Sequence, residues 1–212
     1  MRILLIAATE AEVQPFMAAN PGFDVLITGA GVPSTIYRLQ KRIQQTHYDL
    51  IIQAGIAGSF CKEVKLAQTV LVKQDAFGDL GAELEEEFTT IFDAGLADKN
   101  EFPFEDGWLV NKNEMLNNAS LTVVKGVTVN KVSDDTLQKY QLDKQFAPEV
   151  ESMEGAALHY VCLQERIPFI QLRTVSNPVG ERNKTKWKMK EAIKNLNNEL
   201  SKLVNTLIRG TV

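Results

Sequence analysis

Two glutamates occupy positions from which a carboxylate could act on a bound substrate. Glu12 follows the apolar run 2–8 at the start of a predicted helix, and Glu154 lies where a predicted strand passes into a helix. A carboxylate so placed could take a proton from water or accept hydrogen bonds from hydroxyl groups. Acidic residues in a first helical turn also complement the helix dipole. From spacing alone, helix capping is the simpler interpretation of both.

A third group of polar residues follows the most apolar predicted strand, 169–175. Arg173 lies inside this run, where a charge is costly unless it is paired. Ser176 and Asn177 follow at the carboxyl end of the strand. Ligands of open α/β sheets bind outside the carboxyl ends of the strands. The pattern therefore indicates a site, in which Arg173 is either a functional residue or half of a buried ion pair.

Two glycine-rich segments, 29–31 and 55–58, follow the second and third predicted strands. The first invites a dinucleotide-binding interpretation. However, Ser34 stands where the third glycine of that motif would be, and no acidic residue closes a following strand at the required distance. A nicotinamide cofactor is therefore excluded, and we predict that the protein uses no cofactor.

Composition excludes several classes of function. The 212 residues carry a net charge of −4, with 44% hydrophobic and 24% charged residues, which gives no basic excess for binding nucleic acid or an anionic membrane. No run approaches the roughly 20 apolar residues of a membrane span. The two cysteines and two histidines lack metal-ligand spacing. We expect a soluble cytoplasmic protein with reduced thiols and no metal.

Short apolar runs alternate with helical patterns along the whole chain. This alternation predicts an α/β fold with a central sheet. No linker or repeat divides it, so residues 1–212 are predicted to form one domain. The acidic stretch 79–107 is the least regular, and we interpret it as an insertion near the site or at a subunit contact.

Four segments together resemble the nucleoside phosphorylase/nucleosidase superfamily. They are 8–13, 55–58, 151–157 and 168–177, and they occur in the order that the superfamily shows. The resemblance extends over most of the chain. It implies a three-layer α/β/α sandwich with a central mixed sheet, a small purine nucleoside as substrate, and assembly into a homodimer or larger homo-oligomer.

The resemblance also implies roles for individual residues. Glu12 would activate the attacking water, Glu154 would hold the ribose 2′ and 3′ hydroxyls, and Asn177 would receive the leaving purine. The remaining candidates would contact the substrate, and they are Met153 against the sugar, Arg173 and Ser176 near the water and base, Ile56, Ala57 and Gly58 after the third predicted strand, and Val132 against the purine.

The chemistry of N-glycosidic cleavage explains these residue types. Positive charge develops on the ribosyl ring and negative charge on the purine as the C1′–N9 bond breaks. A carboxylate on two neighbouring hydroxyls orients the sugar and stabilises the cation-like transition state. A second carboxylate takes a proton from water as it attacks.

Two departures from the superfamily pattern narrow the reaction. Phosphorylases have Arg and Ser where this chain has Gln53 and Ile56, so phosphate would lose a cation and a hydroxyl donor, which favours water as nucleophile. Adenine-releasing members have Asp where this chain has Asn177. The amide of Asn177 cannot act as an acid, but it can accept a hydrogen bond from N7–H of a purine and donate one to its 6-oxo group. The sequence thus predicts a hydrolase that releases hypoxanthine. Release of adenine is the alternative, and a non-catalytic nucleoside-binding protein is disfavoured by Glu12 and Glu154.

Overall fold

The structure, a computed structural model, describes residues 1–84, 87–116, 120–132, 136–181 and 183–210. Residues 85, 86, 117–119, 133–135, 182, 211 and 212 belong to the predicted single domain but lie outside the described residues. The helices are α1 (Glu10–Ala19), α2 (Val32–Gln45), α3 (Thr136–Phe146), α4 (Gly155–Gln164) and α5 (Met189–Arg209). The strands are β1 (Ile3–Ala7), β2 (Val25–Ile27), β3 (Leu50–Ser59), β4 (Thr69–Phe77), β5 (Gly81–Leu84), β6 (Glu87–Thr90), β7 (Leu109–Val110), β8 (Thr122–Thr128), β9 (Val150–Ser152) and β10 (Phe169–Pro178).

The central sheet is mixed and partly closed. Strands β3, β10, β4, β8 and β9 pair in that order, and β9 pairs back to β3, so they form a ring. Strands β1 and β2 extend the sheet from β3 by parallel pairing. Each strand of the ring contributes to a cluster dominated by small branched side chains, Ala57, Val70, Val72, Val124, Val150 and Val175. These residues therefore point into the ring.

Helices cover both faces of the sheet. Helices α1 and α5 pack on one face, where Phe16 and Leu196 meet Leu5 and Ile52 of the strands. Helices α2 and α4 pack on the other, where Leu39 and Leu158 meet Leu4, Ile6 and Ile51. Neighbouring residues of β1 thus face opposite layers, as strand geometry requires. The three-layer α/β/α arrangement with a mixed sheet is confirmed.

Two strands are longer than the sequence predicts. The glycines of 55–58 were expected to end the third strand, but β3 continues to Ser59 because β10 pairs with it over the same length. Likewise β10 continues to Pro178, with an irregularity between Val175 and Asn177. Both predicted strand ends were wrong, because the pairing between β3 and β10 outweighs the weak strand preference of the glycines in 55–58 and of the polar residues and proline in 176–178. Residues 55–59 and 176–178, which were expected to follow the strands, therefore belong to the sheet.

Two other segments also differ from expectation. The runs 121–124 and 127–129 form one strand, β8, rather than two. Helix α3 was not anticipated, because its sequence is polar and buries only Leu142. The irregular stretch 79–107 contains most of the β5–β6 hairpin. Among the described helices, none has the length and apolar character needed to cross a membrane.

Candidate active site

Glu12 is held by groups on two sides. Its Oε2 accepts hydrogen bonds from the backbone N–H and the hydroxyl of Thr9, both at 2.9 Å, which completes a capping box at the start of α1. Its Oε1 accepts from the backbone N–H of Ile56 in β3 at 3.0 Å. A carboxylate oxygen has two lone pairs, so Oε1 keeps one acceptor position. Capping and site roles are therefore combined in one side chain.

Glu154 occupies the position before the first turn of α4. Its Oε1 accepts from the N–H of Gly31 at 3.1 Å, and its Oε2 lies 3.5 Å from Nη1 of Arg173. Gly31 has φ +89°, a conformation that favours glycine. The glycine-rich segment 29–31 therefore serves this carboxylate rather than a dinucleotide. Each oxygen of Glu154 keeps acceptor capacity for a substrate hydroxyl.

Arg173 lies beneath both glutamates and is only 1% exposed. Its Nη2 donates to Oε1 of Gln53 at 2.9 Å, and its Nη1 donates to the carbonyl of Ile56 at 3.4 Å. A Cβ atom at position 55 would collide with Nη1, so Gly55 is needed for this close approach. The ion pair with Glu154 means that Arg173 is both a buried structural charge and a component of the site.

The peptide groups of Ile56 connect these side chains. The N–H of Ile56 binds Glu12, and its carbonyl accepts from the arginine that pairs with Glu154. Strands β1, β3 and β10 run parallel here, and the antiparallel β9 leads from the end of β3 back towards Glu154. The structure thus brings together Glu12, Glu154 and Arg173, which are far apart in the sequence.

Asn177 lies at the edge of the same region, with its amide oriented by its neighbours. Oδ1 accepts from the hydroxyl of Ser176 at 2.7 Å, and Nδ2 donates to the carbonyl of Pro178 at 2.9 Å. The Ser176 hydroxyl also lies 3.3 Å from the carbonyl of Ala57. A Cβ atom on Gly58 would lie 3.6 Å from Nδ2 of Asn177, which places the amide beside the β3 backbone. Ser176, Asn177, Ala57 and Gly58 therefore lie close together, and their contacts with a substrate stay a prediction.

Two candidates are less closely integrated. Met153 is half-buried and directly precedes Glu154. Val132 is 57% exposed and lies at the end of a described segment. Their packing against the sugar and the purine stays a prediction.

The sequence analysis missed a buried polar group under Glu154. Asp75 accepts from Thr128 Oγ1 at 2.9 Å and from Gln171 Nε2 at 3.1 Å. Thr128 Oγ1 in turn accepts from the N–H of Ala156 at 2.7 Å. A Cβ on Gly155 would collide with Asp75 and Gln171. These contacts fix the start of α4, and so the position of Glu154.

Burial of Asp75 raises its pKa to about 6, despite the hydrogen bonds from Gln171 and Thr128. The signal for this residue in the sequence is weak, because Asp75 follows Lys73 and Gln74 and so ends an apolar run, whereas Arg173 lies inside one. A charged residue in a buried strand requires a partner in both cases.

His159 is completely buried and packs in the core. Its Nδ1 lies 2.9 Å from the carbonyl of Leu109, and its ring packs edge-on against Phe169. Burial lowers its pKa to about 4. The histidine is therefore neutral near pH 7.

A cavity of about 660 Å³ opens near Gly31, whose N–H donates to Glu154, and the polar side chains of Asp79 and Asn130 are part of its lining. Val32, the residue after Gly31, is part of its wall, and aromatic side chains from Phe77, Phe104 and Tyr160 form much of the rest. Leu80 and Ile91 also line it. The stretch 79–107 thus contributes to a cavity next to the site, in agreement with one of its two interpretations.

Comparison with known proteins shows the family of the chain. Residues 3–209 match the Phosphorylase superfamily. The chain is 29% identical to futalosine hydrolase of Thermus thermophilus, over 95% of this chain and 94% of that one. It is 30% identical to futalosine hydrolase of Streptomyces coelicolor, over 88% and 80% of the two chains.

Similarity of fold extends to a second kind of enzyme. The crystal structure of 5′-methylthioadenosine/S-adenosylhomocysteine nucleosidase from Neisseria meningitidis, in complex with methylthio-immucillin-A, aligns with a TM-score of 0.80 at 16% identity. The alignment covers 97% of this chain and 100% of that one. The chain belongs to the phosphorylase superfamily, which confirms the resemblance seen in the sequence.

Proposed function

We propose that the protein is a futalosine hydrolase, which uses water to cleave futalosine into hypoxanthine and dehypoxanthinyl futalosine. This places it in menaquinone biosynthesis. The observation that carries the proposal is the joining of Glu12 and Glu154 through Ile56 and Arg173, with Asn177 on the neighbouring strand. Identity of 29% and 30% to two futalosine hydrolases supports the substrate.

Water fits the site better than phosphate. Gln53 stands where phosphorylases have Arg, and its carbonyl oxygen is occupied by Nη2 of Arg173. Ile56 provides no hydroxyl group. A phosphate ion would therefore find neither the additional cation nor the hydroxyl donor that it needs.

The reaction follows from the acceptor and donor positions that remain. The free lone pair on Glu12 Oε1 takes a proton from water as the water attacks C1′. The two oxygens of Glu154 accept from the 2′ and 3′ hydroxyls, and their negative charge stabilises the ribosyl cation. Arg173 keeps this carboxylate in place.

Asn177 matches a departing 6-oxopurine. Ser176 uses one lone pair of Oδ1, and the carbonyl of Pro178 uses one hydrogen of Nδ2. One acceptor and one donor therefore remain. They suit O6 and N7–H of hypoxanthine. Because an amide cannot act as an acid, the departing purine anion takes its proton from solvent, and Glu12 returns the proton that it took from the attacking water to solvent.

The largely apolar cavity near Gly31 supports the assignment of a nucleoside with a large 5′ substituent as the substrate. Most of the side chains that line the cavity are aliphatic or aromatic. One of them, Val32, follows Gly31, whose N–H donates to Glu154, the carboxylate that we propose to bind ribose. Plain nucleosides would leave this volume filled with water, at a loss of apolar contact.

Chromatographic product analysis tests the function. The purified protein is incubated separately with futalosine, inosine and methylthioadenosine, each with and without phosphate. We expect hypoxanthine from futalosine at a rate that phosphate does not change. Adenine from methylthioadenosine with futalosine left intact would instead support the alternative, a methylthioadenosine/S-adenosylhomocysteine nucleosidase.

Assembly and location remain predictions. A homodimer or larger homo-oligomer is expected, and light scattering of the purified protein tests it. A cytoplasmic location is likewise expected and can be tested by cell fractionation.

A further inference from the structure

Glu151 is a buried carboxylate that the proposed reaction leaves unused. It is 6% exposed, and none of the described residues forms a hydrogen bond or an ion pair with its side chain. Buried carboxylates are normally paired, because loss of hydration is costly. An unpaired one next to a binding site indicates that a ligand supplies the missing donor.

Strand pairing places Glu151 level with Asn177. Gly58 of β3 pairs with Asn177 of β10 on one side and with Glu151 of β9 on the other. Paired residues of neighbouring strands point to the same face of a sheet. The two side chains therefore flank Gly58 on one face, with their Cα atoms separated by two strand spacings, about 10 Å.

The direction of this face follows from the ring of strands. Ala57 and Val150 point into the ring, so the next residues, Gly58 and Glu151, point outward. The amide of Asn177 lies on that outward side, because it is near the Cβ position of Gly58. Val179 packs over Gly58 on the same side and is itself only 5% exposed.

The electrostatic surroundings agree with an unsatisfied acceptor. Burial and the nearby charge of Asp79 raise the pKa of Glu151 to about 7. Asp79 itself accepts from the backbone N–H of Asn130 at 2.5 Å. The carboxylate of Glu151 thus gains stabilisation from a hydrogen-bond donor that a ligand would bring.

We propose that Glu151 is a specificity-determining residue, which accepts a hydrogen bond from N1–H of the 6-oxopurine while Asn177 binds its N7 and O6 edge. Hypoxanthine carries a hydrogen on N1, whereas N1 of adenine is an acceptor. A carboxylate at this position therefore attracts the first base and repels the second.

Equilibrium binding of the free bases tests this role. Isothermal titration calorimetry at pH 8 compares hypoxanthine with adenine for the wild type, Glu151→Gln and Glu151→Asp. Glu149→Gln is the matched control, because Glu149 lies two residues away and accepts from the N–H of Lys125 at 2.7 Å. The isosteric Gln variant removes no protein contact seen among the described residues, and its thermal midpoint verifies that it is folded.

In Glu151→Gln we expect hypoxanthine to bind about 10- to 100-fold more weakly, since a hydrogen bond to a charged group is lost. The preference for hypoxanthine over adenine should fall by a similar factor, while Glu149→Gln keeps both. Glu151→Asp should weaken binding and retain the preference. A Gln variant with the wild-type preference would overturn the role of Glu151.

Because this role rests on the proposed function, the two must be tested separately. Cleavage of futalosine by the wild type supports the function whatever the Glu151 variants bind. If the wild type binds adenine better than hypoxanthine and leaves futalosine intact, the proposed function and the role of Glu151 both fail.

Discussion

Nη1 of Arg173 lies 3.5 Å from Oε2 of Glu154, and the two side chains are only 2% and 7% exposed. No other carboxylate lies within ion-pair distance of Arg173 in the part of the chain that the structure describes. Arg173 therefore positions the carboxylate that we propose to bind ribose, and the buried charge of Arg173 in turn needs Glu154 as its partner.

Removal of one partner should destabilise the protein more than removal of both. Glu154→Gln leaves the Arg173 charge buried without its partner, and we expect the free energy of unfolding to fall by about 3 kcal/mol. Arg173→Met should have a similar cost, and the double variant should recover part of it. Urea denaturation of the four proteins measures the coupling. Additive effects would show that the pair contributes no coupling.

Glu12→Gln should abolish turnover while binding is preserved. The amide oxygen can still accept from Ile56, but it is too weak a base to take a proton from water, so we expect kcat to fall by about 100-fold or more. Steady-state kinetics on futalosine measure this loss, and calorimetry checks the affinity for hypoxanthine.

Glu10→Gln is the control for that variant, because Glu10 lies in the same helical turn and is exposed. It should retain wild-type activity. Equal kcat in Glu12→Gln and Glu10→Gln would remove Glu12 from its role as the base.

Asn177→Asp should shift the released base from hypoxanthine towards adenine. The new carboxyl group faces the carbonyl of Pro178, which favours its protonated form, and a protonated acid can give its proton to N7. We expect slower hypoxanthine release from futalosine and measurable adenine release from methylthioadenosine by chromatography. The exposed Asn198→Asp serves as control. Unchanged selectivity would contradict the assignment of Asn177.

Asp75 should give the protein a pH-dependent stability. Its pKa of about 6 exceeds the ordinary 3.8 because of burial, so the folded protein holds this proton to higher pH than the unfolded chain. The stabilisation is fully present below about pH 4 and is lost as the pH rises through 6.

Asp75→Asn imitates the protonated acid, so the variant should not lose stability as the pH rises through 6. A flipped Gln171 amide, whose Oε1 has no described partner, can accept from the new Asn group. We expect the variant to gain about 2 to 3 kcal/mol relative to the wild type between pH 4 and pH 7. Urea denaturation across that range measures it, and a constant difference would show that Asp75 titrates normally.

The class of fold and most of the site could be predicted from residue order. Alternating apolar runs indicate an α/β fold whatever the details of pairing, because each run must bury its apolar side chains. Arg173 stood out because a charge inside an apolar strand is costly unless it is paired. The roles of Glu12, Glu154 and Asn177 came from the resemblance to the superfamily, because spacing alone favoured helix capping for the two glutamates. Gln53 and Ile56, which stand where phosphorylases of the superfamily have Arg and Ser, indicate water as the nucleophile from the sequence alone.

Tertiary structure alone decided how these groups cooperate. The ring of strands brings β9 and β10 to opposite sides of β3, so Glu151 and Asn177 flank Gly58. The contacts of Glu12 and Arg173 with Ile56 depend on chain segments more than 40 residues apart. Local sequence carries no information on such pairings, because register between distant strands is set by packing of the whole core. The same packing buries Asp75 under Glu154, which raises its pKa.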